Sequence, residues 1–410
     1  MWPRPNVELL EGSDGIVESR FVHGMAIIRA SINGHEPGWF LFDTGANMDM
    51  LTVEAAEKFG LETDRSAHVS GSSGQKKKIK MTIVDRVEFG PVTKRNMIYI
   101  IVDMPSFNEF LGEDIDGIIG ARGLEWFTID LDFPNRKVAI TNERLDPDDP
   151  SVIEFTRRRN RLVYVPLDVL GAGVKGRSRE FSAMLDSGAY DGLSLDTQTA
   201  KRVSRYENAN GRKPSIGVHG IQEYHPMAEL VGGLVLGNTT IDGALAGVDQ
   251  SKNKIGVGIM RNFRVRIDGA SGLVSFERSD GAKRLYGTET FGISKLWRFD
   301  GYRIHQIREG SVADLMGLSA FDQVVAIDGK APTVLVDHTS FWTVAADATT
   351  VTVRVVREAD DSEVDVVLPL DWATVKIERR EKINSTHKKV TGTIEIEDGE
   401  KRVGKIEFVQ

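Results

Sequence analysis

The chain contains no cysteine. Disulfide cross-links, thiolate nucleophiles and cysteine-bound zinc are therefore excluded, and burial and hydrogen bonding must hold whatever fold it adopts. The same absence leaves the compartment open, since a cysteine-free chain suits the cytosol or a cell envelope equally. No apolar run approaches the ~18 residues that a membrane-crossing helix needs. The eight histidines are scattered and form no H-E-x-x-H pair, so neither a metal nor another cofactor is expected. Charge of neither sign dominates: 60 acids against 52 bases leave −8 over 410 residues. That balance favours solubility and offers nucleic acid no continuous basic surface. The two basic runs, Lys76 to Lys78 and Arg157 to Arg159, read as solvated loops. The opening "MWPRPNVELL" lacks the about 7–15 residue apolar core of a secretory leader, so the expectation is a cytosolic protein or one that follows a removed leader.

What is present is strand. "GMAIIRASING", "GWFLFDTG", "KIKMTIVDRVEFG", "NMIYIIVDM" and "RKVAITN" combine β-branched residues, alternation and Gly/Asn/Asp punctuation. Helical patterns are few. In "TVEAAEKFG" Thr52 is placed to cap a short helix and Gly60 to stop it. "NERLDPDDPS", residues 142–151, reads as a linker, and after it the design repeats. Residues 1–145 carry an apolar strand ending at Asp43, a Gly/Ser loop ("SGSSG") and "DGIIGARGLEWFTIDLDFPNRKVAI". Residues 146–280 carry a strand ending at Asp186, a second glycine loop ("SIGVHG") and "IGVGIMRNFRVRIDGASGLVSFE". Asp43 and Gly120 are 77 positions apart, Asp186 and Gly258 are 72, and each glycine precedes a further aspartate, Asp130 or Asp268, by 10.

The two acids have a common setting: "FLFDTGA" around Asp43 and "AMLDSGA" around Asp186. An apolar strand holds the carboxylate rigidly in a partly dry place. Gly45 and Gly188 let the backbone turn and let a partner approach. The hydroxyls of Thr44 and Ser187 can hydrogen-bond across to the opposite loop. Two carboxylates brought within reach of one another share a proton. One can then act as general base on a water while the other polarises a carbonyl, which is peptide hydrolysis without a metal or a covalent nucleophile.

On these residues the segment 20–280 resembles the clan of pepsin-like and retropepsin-like aspartic proteases. "IIG" (118–120) and "VG" (257–258) resemble the apolar-glycine element that packs under that clan's catalytic loop. The resemblance implies a mainly β protein with two β-barrel lobes around one cleft and flap loops over the substrate. Gly71, Ser72 and Gly74 stand where the first flap would come, His219 and Gly220 where the second would. The pepsin flap tyrosine has no match in the first loop, Tyr224 lying after the second, and Ala121 intervenes before Arg122 where retropepsins place an arginine directly after the glycine. Both half-sites lie in one chain, so a monomer is expected rather than a retropepsin-like homodimer.

Residues 285–370 resemble a small α+β PDZ domain of the bacterial protease type, through "REGSVADLMGLSAFDQVVAIDGK". That resemblance makes Phe291, Gly292 and Ile293 the peptide-binding loop and strand edge, which would add a peptide as an extra strand. It also points to a periplasmic or secreted protein. Residues 371–410 form a charged tail with a hairpin turning at Asp398-Gly399. The expected activity is an aspartic endopeptidase acting on protein or peptide substrates. The alternative is a catalytically silent peptide-binding scaffold, whose mark would be loss of one aspartate. Ala46 and Ala189 follow the two turns where a hydroxyl could otherwise stabilise the charged dyad, so an activity optimum of about pH 5–6.5 is expected.

Overall fold

The computed structural model describes residues 5–63, 65–70, 76–158, 160–173, 177–204, 212–217, 220–249, 252–278, 281, 284–287, 293–297, 302–307, 311–330, 341–343, 348–370, 375–382, 388–396 and 402–409. The chain divides into two compact units, Met1–Lys283 and Arg284–Gln410.

The first unit is built around its most apolar strand. Gly38–Asp43 buries Phe40, Leu41 and Phe42, each worth about 1.5–3 kcal/mol on removal from water. A buried strand must also have its backbone N–H and C=O groups paired along both edges. Met25–Ile32 pairs with it antiparallel on one side, after a turn in which Asn33 and Gly34 take positive φ. Gly117–Gly120 pairs with it parallel on the other, setting Gly120 opposite Asp43. Asp49–Leu51 flanks Gly117–Gly120 and runs parallel to Val92–Ile101. The long strand Lys76–Phe89 pairs with both Val92–Ile101 and Met25–Ile32. Among the described residues six strands thereby close into a barrel.

The second half repeats the plan as a half-barrel. Val163–Val169 pairs with Arg179–Leu185, which runs parallel to Lys254–Ile255. Leu193–Asp196 flanks that short strand, and Leu245–Asp249 and Gly220–Glu229 follow outward. Both halves insert a short helix at the same place. Val53–Lys58 starts with Thr52 Oγ1 accepting from the Ala55 amide, and Gly60 beyond its end has a left-handed φ, as the sequence suggested. Thr197–Val203 is capped in the same way by Asp196. A separate six-stranded sheet joins the halves: Thr128–Asp132 lies antiparallel to Arg264–Asp268 with Asp130 opposite Arg266. The mainly β class with two barrel-type lobes is thus observed.

Two expectations are corrected. Lys76 to Lys78 are not a loop but the start of a strand paired with Arg65–Ser70. Arg157 is half-buried in the strand Thr156–Arg157 and donates to the Gly269 carbonyl, while Arg159 lies outside the described residues. Residues 142–151, read as a linker, connect Lys137–Thr141 to Val152–Glu154 without helix or strand; Leu145 and Ser151 are buried there and the Leu145 amide donates to Asp268.

The second unit contains a sheet in the order Ile293–Trp297, Tyr302–Ile307, Gln323–Ile327, Thr350–Val356 and Glu363–Pro369, with a short helix Val312–Leu315. Its core gathers Ile293, Ile304, Leu318, Val353 and Leu368. A separate three-stranded antiparallel sheet runs through Val375–Lys382, Lys388–Ile396 and Arg402–Val409. The expected turn at Asp398-Gly399 lies outside the described residues.

Candidate active site

Asp43 ends its strand and Asp186 directly follows Arg179–Leu185, so each acid is fixed by a buried strand on its N-terminal side. The turns that follow interlock. The Thr44 amide donates to Ser187 Oγ at 2.9 Å, and the Ser187 amide donates to Thr44 Oγ1 at 3.0 Å. Each hydroxyl then donates onward to the other half's strand: Thr44 Oγ1 to the Leu185 carbonyl at 3.0 Å, Ser187 Oγ to the Phe42 carbonyl at 2.8 Å. Both hydroxyl residues are buried. Four hydrogen bonds with no water to replace them lock two segments 143 positions apart.

The glycines bring the carboxyls together. A Cβ placed on Gly45 would lie 2.5 Å from the Asp186 carboxyl carbon, and one on Gly188 would lie 2.4 Å from that of Asp43. Only a residue without a side chain allows each turn to pass so close to the opposite acid. The Gly45 and Gly188 amides donate to Asp43 Oδ1 at 2.7 and 3.2 Å. Burial, followed by the neighbouring charge of Asp186, pushes the Asp43 carboxyl up to about 8, against the lowering pull of those amides. A carboxyl-to-carboxyl hydrogen bond adds to the rise. Asp43 therefore keeps its proton into the neutral range, with a second carboxyl beside it to share it.

Under each turn lies a glycine that seats it. A Cβ on Gly120 would meet the Ala46 carbonyl at 2.5 Å, and a Cβ on Gly256 would meet the Ala189 carbonyl at 2.6 Å. The structural counterpart of Gly120 is thus Gly256, not Gly258 as the sequence suggested. The register explains the shift: Leu185 lies opposite Ile255, which brings Gly256 level with Asp186, while Gly258 sits inside the short helix Val257–Met260. Repeat spacing alone could not find this, because the two glycines are two positions apart in the same motif.

The six residues Asp43, Thr44, Gly45, Asp186, Ser187 and Gly188 are brought into one cluster. Gly71, Ser72, Gly74 and His219 lie outside the described residues. The hairpins they would connect are described: Ser70 pairs with Lys76, and Gly217 pairs with Gly220, which opens the strand Gly220–Glu229. Phe291 and Gly292 also lie outside the described residues. Ile293 is fully buried and begins Ile293–Trp297, the first strand of its sheet. Among the described residues no group of three or more His, Asp or Glu is placed to hold a metal ion. Sequence reading missed Asp49 and Lys94, which approach Gly120 from below. An acid six positions after Asp43 was the available signal, but it gave no hint of its partner on a distant strand.

Residues 28–122 match the family described as aspartyl protease, a span running from the strand before Asp43 to just past Gly120. The chain is similar there to that family, within the retropepsin-like clan. No curated protein matches the chain. Among solved structures, basic 7S globulin from soybean superposes with a TM-score of 0.35 at 13% identity, over 67% of this chain and 95% of that one.

Proposed function

We propose that the protein is a single-chain aspartic endopeptidase in which Asp43 and Asp186 activate one water molecule between them. The observation that carries this reading is the proton-sharing carboxyl pair, held by two interlocked Asp-Thr/Ser-Gly turns. A water bound to both carboxyls gives a proton to the ionised one as its oxygen attacks the peptide carbonyl carbon. The protonated carboxyl passes its proton to the carbonyl oxygen, and a tetrahedral diol results. One carboxyl returns a proton to the amide nitrogen while a diol hydroxyl gives its proton to the other carboxylate; the C–N bond breaks, acid and amine form, and the dyad again holds one proton. Thr44 and Ser187 touch no substrate in this scheme; they keep the two acids in register.

Residues 285–370 are proposed to recognise peptides as a PDZ-type module, with Ile293–Trp297 as the edge strand that an extended chain would join. Both half-sites lie in one unit, and the proposed enzyme is a monomer.

A peptide-library digest of wild type beside Asp43→Asn and Asp186→Asn tests the reading. Cleavage should fall by several orders of magnitude in both variants, with the fold intact by circular dichroism. Near-normal cleavage in either variant would remove the shared site. No cleavage of any peptide by wild type across pH 3–9 would favour a silent scaffold.

A further inference from the structure

The two halves seat their aspartate turns by different means. In the second half the seat is all backbone. The Gly256 amide donates to the Gly192 carbonyl at 2.8 Å and the Val257 amide to Ala189 at 2.9 Å, while the adjacent strand position is the buried, apolar Leu193. The first half puts Asp49 where the second has Leu193: each opens the strand that flanks the seat, Asp49–Leu51 against Gly117–Gly120 and Leu193–Asp196 against Lys254–Ile255, and each stands three positions before its helix cap, Thr52 or Asp196. Asp49 Oδ1 accepts from the Gly120 amide at 2.8 Å, and Lys94 Nζ donates to the Gly120 carbonyl at 2.8 Å. Lys94 and Asp49 also pair with each other at 3.4 Å, and neither side chain has any exposure.

Such a pair is a poor choice for stability alone. Two charges removed from water cost several kcal/mol, and apolar residues of similar volume commonly serve as well or better. The second half demonstrates the apolar solution with Leu193. The pair is not even fully satisfied, since Asp49 Oδ2 and the nearby Tyr99 hydroxyl are buried without a hydrogen-bond partner among the described residues. Burial raises Asp49 and lowers Lys94, against their mutual attraction, with Arg122 and Glu125 the other charges acting on them. What the pair does accomplish is geometric. It grips both polar groups of Gly120, the residue opposite Asp43 in the parallel ladder and in contact with the Ala46 carbonyl of the same turn.

We infer that Asp49 and Lys94 are positioning residues for Asp43, clamping Gly120 so that the first carboxyl is held against the second. They reach no substrate and act only through the Gly120 backbone. The inference rests on the aspartic peptidase reading for its kinetic consequence, but not for its structural one. Loss of the clamp lets Asp43 shift relative to Asp186 and to the Gly45 and Gly188 amides. That changes both the turnover rate and the proton affinity of the dyad.

The test uses the full chain with two double variants. Asp49→Leu with Lys94→Met copies the apolar solution and removes both grips; Asp49→Asn with Lys94→Met keeps an acceptor for the Gly120 amide. Three quantities are read: kcat and KM on a cleaved peptide, Tm, and the Asp43 carboxyl midpoint by carbon NMR. Expected for the apolar pair are a Tm at or above wild type, a kcat lower by roughly 10–100-fold, an almost unchanged KM, and a displaced Asp43 midpoint. The asparagine pair should lie between it and wild type in kcat. An apolar pair with wild-type kcat and an unmoved Asp43 midpoint would overturn the inference and leave the ion pair as packing only. Should the apolar pair fail to fold, the asparagine pair decides by the same readings. If wild type cleaves nothing, the peptidase reading fails by itself, and the Asp43 midpoint still decides the clamp.

Discussion

The proton on Asp43 links chemistry to stability. An aspartate in an unfolded chain titrates near 3.8, and burial beside Asp186 moves Asp43 to about 8. Between those values the folded protein holds a proton that the unfolded chain has released. This contribution is therefore fully present below about pH 3.8 and is lost as pH rises through about 8. Asp43→Asn removes the group that resists burial, so its Tm should exceed that of wild type at pH 8 and approach it at pH 4. Calorimetry at the two pH values checks this, and a variant less stable than wild type at pH 8 would contradict the burial account. The same shift bears on activity. The donors to Asp43 Oδ1 are backbone amides, and alanines occupy the positions where a hydroxyl could lower the pair further. The alkaline limb of kcat/KM should lie near pH 8, on the basic side of the optimum of about pH 5–6.5 expected from the alanines, and Ala46→Thr should move it toward acid.

At the scale of elements, the two turns are joined by hydroxyls and seated by glycines. Ser187→Ala removes one acceptor and one donor and leaves the Thr44 amide and the Phe42 carbonyl buried without that partner. Each lost bond should cost about 1–3 kcal/mol, measurable by chemical denaturation. Thr44→Val should cost a similar amount for the mirror-image reason. Gly120→Ala places a methyl 2.5 Å from the Ala46 carbonyl, a contact that backbone cannot relieve without moving the turn. Its expected signature is loss of kcat at nearly constant KM, because the displaced atoms belong to the dyad and not to the substrate cleft. Gly272→Ala is the control: unlike Gly120 it has a positive φ, but an added methyl meets nothing within 4 Å, and it lies in the turn between Arg264–Asp268 and Leu273–Glu277 of the joining sheet. It should cost stability without changing kcat.

For the whole molecule, the prediction is separability. The unit Met1–Lys283 contains both aspartate turns and the sheet that joins them. A chain ending at Lys283 should still cut short unstructured peptides, with specific activity independent of protein concentration. It should lose preference for substrates bearing a free apolar C-terminus if the second unit presents peptides. An unchanged substrate ranking would leave that unit with a structural role, and a steep loss of activity on dilution would point to a dimer.

Much of the first unit can be read from the chain because its signals are local. "GWFLFDTGA" announces a buried strand ending in a rigid acid and a glycine turn, and its echo at Asp186 announces a second copy of the same plan. Strand alternation, the Thr52 cap and the Gly60 stop likewise depend on neighbours within a few positions. Other features depend on residues far apart in sequence. The run of lysines at Lys76 looks like a solvated loop until Arg65–Ser70 supplies its hydrogen-bonding partner. Gly256 and Gly258 look equivalent until the pairing of Leu185 with Ile255 selects one of them. Asp49 and Lys94 are 45 positions apart, and burial alone makes an ion pair of two residues that would be ordinary surface charges on an open chain. Local pattern specified where strands and turns would form; long-range register and desolvation specified which groups meet and how tightly they hold their protons.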